Sequence, residues 1–147
     1  MKNSLKIIFI YLLVVGCKQE IKTEEIGYIN GYWEIEKVVL YTGKEKLYTV
    51  NESYDYFELK ANNKGFRKKV MPQLNGTFLV NDTYEKISLQ YIDSKVFIEY
   101  LTNYEKWKEE IITLTKEKLV LRNDEKCEYH YKKAEAINIL NDGKKTK

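Results

Sequence analysis

From Gly31 to Lys132 the chain alternates between short runs rich in β-branched and aromatic residues and clusters of turn formers. The runs are 32–41, 54–59, 66–71, 77–80, 87–92, 96–101, 111–115, 119–122 and 129–132. Between them stand Thr42-Gly43, Asn62-Asn63-Lys64-Gly65, Pro72, Asn75-Gly76, Asn81-Asp82 and Asp93-Ser94. Strands recurring about every 8–12 residues with turn residues between them predict a sandwich or a barrel. Ile87-Leu89-Tyr91, Val96-Ile98-Tyr100 and Leu119-Leu121 each place apolar side chains on one face at period two. The thirteen tyrosines suit such a surface, because the ring packs while the hydroxyl stays wet. Segment 104–118 is ambiguous. Trp107, Ile111 and Leu114 fall at helical spacing, yet the run Ile111-Ile112-Thr113-Leu114-Thr115 is β-branched, which favours a strand from about Trp107. Residues 134–140 suit a short helix, stopped by Asn141-Asp142-Gly143 and followed by a lysine-rich tail.

The first sixteen residues have the layout of a secretory signal. Lys2 and Lys6 precede the nine-residue apolar run 7–15, and Gly16 offers a small residue for cleavage. The run is too short for a permanent membrane helix, which needs about 20 apolar residues. Val14-Val15-Gly16-Cys17 resembles the lipobox of bacterial lipoproteins. That resemblance implies cleavage before Cys17 and lipid on its sulfur and new amino group. At about 0.8 kcal/mol per buried CH₂, two or three acyl chains hold a protein firmly where one does not. Lys18 stands where some lipoproteins retained at the inner membrane carry Asp, so the resemblance favours the outer membrane, facing the periplasm or the surface. The expected organisation is a leader at 1–16, a lipidated cysteine and tether at 17–30, a β domain at 31–133 and a short helix or tail at 134–147.

Composition narrows the chemistry. Two of the net +3 charges belong to the leader, so the remaining chain is close to neutral. Nucleic-acid binding is not expected, since it shows as a clustered basic face. The nearest cluster, Arg67-Lys68-Lys69, would be split between faces by strand alternation and reads as a solvated strand end. With Cys17 lipidated, Cys127 has no intramolecular partner, and it reads as a half-buried strand residue. His130 is the only histidine, which rules out a multi-histidine zinc site, and on a strand its separation of three from Cys127 puts the two on opposite faces. Glu24-Glu25 and Glu109-Glu110 read as solvated acids. No nucleophile elbow, phosphate loop or dinucleotide fingerprint is present. The chain is therefore expected to be no enzyme and to use neither metal nor cofactor.

Gly31-Tyr32-Trp33 opens the first strand and resembles the G-x-W signature of lipocalins, whose tryptophan plugs the closed end of an up-and-down barrel. Thr102-Asn103-Tyr104 resembles the lipocalin T-D-Y turn, with Asn for Asp. Arg122 resembles the arginine that ends a late strand and lies over that tryptophan, a contact of cation–π type. The layout of leader, lipobox, tether and G-x-W is similar to the small lipocalin-like lipoproteins of gram-negative bacteria. The resemblance implies a mostly β fold, a small antiparallel up-and-down barrel of about eight to nine strands. Gly31, Trp33 and Arg122 would be its structural motif. Phe57, Phe78, Leu89, Tyr91, Ile98, Tyr100, Ile112 and Leu121 would face inward, either filling the core or lining a cavity for an apolar or amphipathic molecule. The expected partners are the membrane through Cys17 and a small apolar ligand, or else an envelope protein docked on the barrel exterior.

Overall fold

The structure is a computed structural model that describes residues 20–135. It contains ten strands: β1 (Gly31–Val39), β2 (Glu45–Leu47), β3 (Tyr54–Leu59), β4 (Lys64–Pro72), β5 (Phe78–Val80), β6 (Glu85–Ile92), β7 (Lys95–Leu101), β8 (Lys106–Leu114), β9 (Lys118–Arg122) and β10 (Glu128–Ala134). Eight of them, β1, β3, β4, β6, β7, β8, β9 and β10, follow one another around an antiparallel sheet that β10 closes by pairing with β1. Closure removes the open edges that would otherwise invite pairing with another chain. β2 and β5 lie off this circuit, paired with β1 and β4. The 106–114 segment is a strand, and with β9 it forms a hairpin through Thr115, whose hydroxyl accepts from the amides of Glu117 and Lys118. The proposed helix at 134–140 falls almost wholly outside the described residues, as do the leader and Cys17.

Turn chemistry sets the register. The two-residue β6–β7 loop puts Asp93 and Ser94 at φ 49° and 61°, the primed-turn geometry that matches strand twist. Between β7 and β8 the Thr102 hydroxyl accepts from the amides of Tyr104 (3.2 Å) and Glu105 (3.0 Å), so Thr102-Asn103-Tyr104 is a side-chain-stabilised turn. The β3–β4 hairpin brings the backbones so close at Gly65 that a methyl group there would lie 1.7 Å from the Glu58 carbonyl oxygen.

The residues preceding Gly31 are not a free tether throughout. Thr23–Ile29 forms a 3₁₀ helix whose Ile26 and Ile29 are buried in the core, closing one end of the barrel. Its apolar positions make it a plug despite its charged neighbours. Asn30 fastens it to the end of β3, donating to the Leu59 carbonyl (3.2 Å) and accepting from the Leu59 amide (2.5 Å). Trp33 is wholly buried beneath the helix, and its indole N–H donates to the Ile29 carbonyl at 2.7 Å. Gly31 has φ +113°, a conformation that favours glycine.

The cation over Trp33 is Lys133, 4.3 Å from the ring centroid, and Arg122 takes no part in this contact. The register explains the difference. Trp33 sits directly opposite Lys133 in the β1–β10 ladder, while Arg122 ends β9 at the other end of the barrel. There Arg122 pairs with Glu110 (2.8 Å) and Glu128 (3.8 Å) on the outer face. Lys133 is held in place by the Tyr28 carbonyl at 2.9 Å and by the Asn30 carbonyl, and burial lowers its pKa.

Candidate functional site

The barrel has two unlike halves. Below, toward the helix, Ile29, Trp33, Leu59, Leu89, Ile98, Leu114, Leu119 and Leu121 make a packed apolar core. Of the eight residues expected inside, Phe57, Ile98, Tyr100 and Leu121 are completely buried and Leu89 nearly so. Three are placed otherwise. Phe78 belongs to β5, outside the barrel, where it stacks on Tyr32 at 4.0 Å and 10°. Tyr91 keeps the phase of Ile87 and Leu89 but comes at the end of β6, and it is 49% exposed. Ile112 falls in a bulge between Ile111 and Thr113, so Ile111 and Leu114 take the inner positions.

The upper half, at the end away from the helix, is polar inside. Arg67 points inward and lays its guanidinium 4.3 Å over the Tyr100 ring, which itself stacks on Trp107 at 5.0 Å and 11°. Arg67 bonds Glu85, its partner across the β4–β6 ladder, at 2.6 Å and stands 4.0 Å from Glu109. Asp55, only 2% exposed, is reached by Lys69 at 2.7 Å. So Arg67-Lys68-Lys69 is not a solvated strand end, since its first member is a buried hub. Nor are Glu109 and Glu110 solvated acids, since both are buried. Alternation predicts these positions: Asp55 is in phase with Phe57, and Glu109 with Trp107 and Ile111.

This polar set is incompletely satisfied. Asp55 Oδ1, Tyr100 Oη and Glu109 Oε2 are out of contact with solvent and make no hydrogen bond of good geometry, although Asp55 keeps its ion pair with Lys69. Burial, reinforced by Glu109, pushes the Tyr100 hydroxyl well above its usual pKa, and burial with Asp55 does the same for Tyr131. Burial also raises the Glu109 carboxyl, against the opposing pull of Tyr100 and Arg67. An acid raised in this way holds a proton that the unfolded chain releases. It therefore favours the fold below its unfolded pKa, and that contribution is lost as pH rises through the folded value. Glu109→Gln is accordingly expected to raise the melting temperature by a few degrees at about pH 7, on the order of 1 kcal/mol, with the gap closing near pH 4. Thermal melts at the two pH values check this, and a variant less stable than wild type at neutral pH would show that the Arg67 contact outweighs burial.

Above this set the barrel opens as a groove of about 330 Å³ walled by Trp107, Tyr129, Asn123 and acids, with Glu109 at its floor. A larger groove of about 510 Å³ lies outside, between the 82–86 segment and the 101–104 turn, and shares only Glu85 with the interior cluster. The smaller groove is the better candidate because it alone of the two reaches Trp107 and the buried acid. Cys127 lies buried in the turn just before β10, its amide donating to the Asn123 side chain at 2.9 Å. His130 sits on the outer face of β10, 3.2 Å from Glu128.

A closed eight-stranded barrel with a tryptophan under an N-terminal helix invites comparison with known families. The family described as a lipocalin-like domain matches residues 29–121. The chain belongs to that lipocalin-like family. Among solved structures, this lipocalin-like domain is similar to a lipocalin-like protein from Bacteroides uniformis, at 13% identity and TM-score 0.47, over 74% of this chain and 100% of the other. It is also similar to an uncharacterized protein from Bacteroides eggerthii, at 11% identity and TM-score 0.46, over 71% and 98% of the two chains. No curated protein matches the lipocalin-like chain.

Proposed function

We propose that the protein is a non-enzymatic, lipid-anchored envelope module that takes a small amphipathic molecule into the open mouth of its barrel. The observation that carries this is the contrast within one interior. Its lower half is filled by side chains, whereas its upper half leaves buried oxygens of Glu109 and Tyr100 without hydrogen-bond partners beneath a groove walled by Trp107 and Tyr129. Buried polar groups without partners cost about 1–3 kcal/mol each, so a molecule that supplies hydrogen bonds there is favoured. The lower interior belongs to the packed core, so the ligand is recognised by Trp107, Tyr129 and Glu109 more than by Phe57, Leu89, Ile98 and Leu121.

The anchor fits this geometry. Cys17 precedes Glu20, the first described residue, by three positions, a reach of at most about 10 Å. Glu20 lies beside Asp93 and Lys95 at the helix-closed end. A chain lipidated on Cys17 would present its mouth away from the anchoring bilayer and exchange ligand with the aqueous side, in keeping with an outer-membrane lipoprotein.

Native mass spectrometry of the secreted protein tests this reading. A stoichiometric extra mass lost on denaturation, together with an acyl mass on the Cys17 peptide, is expected. Bare protein after incubation with envelope lipid extract would count against it. A second reading, a protein that docks through its exterior, draws on the β4–β5 flap, where Met71, Leu74, Leu79 and Val80 are 45%, 67%, 56% and 47% exposed. That reading requires Leu79→Ser to abolish capture of an envelope partner while leaving ligand binding intact.

A further inference from the structure

We infer that the molecule bound at the mouth carries a positive charge: an organic ammonium whose apolar body packs on Trp107 and Tyr129. This rests on the ligand-binding reading above and names its substrate class. The groove is walled by four carboxylates, Glu105, Glu109, Asp124 and Glu125, against one basic residue, Lys108. The Lys108 ammonium is turned to the outer face, 5.1 Å over the Phe97 ring. Lys126, in the same loop, does not line the groove, and Lys106 is paired with Glu99 at 3.0 Å. Among the described residues Glu105, Asp124 and Glu125 make no ion pair. Arg67, the nearest interior cation, is engaged by Glu85 at 2.6 Å and stands 4.0 Å from Glu109.

Solvated acids on a rim are common, and alone they indicate nothing. Two further features make this a site. Glu109 is 8% exposed and lines the groove from below, and its Oε2 lacks a hydrogen-bond partner. The walls above it are aromatic, and an ammonium within about 6 Å of such a ring gains roughly 0.5–2 kcal/mol. A buried carboxylate under aromatic rings is a poor host for an anion and a good one for a desolvated cation. A volume of about 330 Å³ suits a small organic molecule. Free amines and lipid headgroups share the ammonium. The headgroup's adjacent phosphate would meet the acidic rim, which favours the free cation.

The test is a calorimetric titration of the full chain with octyltrimethylammonium, octanol, octanoate and octylphosphocholine, which share one tail and differ in charge. Octyltrimethylammonium is expected to bind at least about tenfold more tightly than octanoate or octylphosphocholine, with octanol between them. Glu109→Gln should bring its affinity down to that of octanol. Should Glu109→Gln disturb the fold, Asp124→Asn/Glu125→Gln on the exposed loop is expected to weaken the cation about threefold and to leave octanol unchanged. Equal affinity for all four, or tightest binding of octanoate, would overturn the charge assignment and leave the amphiphile reading standing. Equal affinity for the phosphocholine and the simple cation would overturn the assignment to a free ammonium. Binding of none would overturn both readings.

Discussion

Gly65→Ala is expected to cost the barrel at least about 3 kcal/mol, a large part of the 5–15 kcal/mol by which ordinary domains are stable. The added methyl would lie 1.7 Å from the Glu58 carbonyl oxygen and 2.8 Å from its carbon, so it meets backbone that has no rotamer to change. Leu59 and Gly65 are direct partners at the β3–β4 turn, and relief would require opening that hairpin. Arg67, two residues along, would move with it. Urea denaturation should show a much lower midpoint, or no native baseline at 37 °C. A variant with the wild-type midpoint would mean that the two strands do not approach this closely.

Trp33→Ala should be the second large loss, about 3–5 kcal/mol. The ring is completely buried, and it joins three elements: the 3₁₀ helix through the Ile29 carbonyl, β10 through Lys133, and the apolar core. Trp33→Phe keeps most of the volume and loses the 2.7 Å hydrogen bond, so it should cost less, about 1–2 kcal/mol. Hydrogen exchange gives an independent check: amides of residues 23–29 should lose protection in the alanine variant before those of β6 and β7 do. Equal stability of the alanine and phenylalanine variants would contradict the account of this plug.

Much of the frame was legible because burial on one face leaves a period-two trace. Ile87-Leu89, Val96-Ile98-Tyr100 and Leu119-Leu121 all point inward as their spacing predicts. Gly31 and Trp33 occupy the closed end that their motif implies. β2 left no trace, since Glu45, Lys46 and Leu47 are all exposed. At Ile111-Ile112 both residues are β-branched, so nothing in their chemistry marks which side of the bulge faces in. Phe78 was misplaced because aromaticity marks burial against something, here Tyr32 on the outer wall, without saying which face.

The candidate site was the hardest part to see. Arg67, Asp55 and Glu109 are charged, and charge ordinarily means water. Their partners lie on other strands, so no local spacing announces them. The phase was available all the same, since each follows the alternation set by an inward neighbour. What the sequence lacks is the register that brings Glu85 opposite Arg67 and Tyr100 opposite Trp107. For the same reason Lys133, and not the motif-matched Arg122, covers Trp33.

The protein's two tryptophans, one at each end of the barrel, make the central claim directly testable. Two-dimensional NMR of the ¹⁵N-labelled chain resolves their indole N–H signals during titration with octyltrimethylammonium, octanol and octanoate in turn. If the mouth is the binding site, whichever probe binds will shift the Trp107 signal progressively and leave the Trp33 signal, locked on the Ile29 carbonyl, in place. Movement of Trp33 with Trp107 unchanged, or no movement of either with any probe, would contradict it.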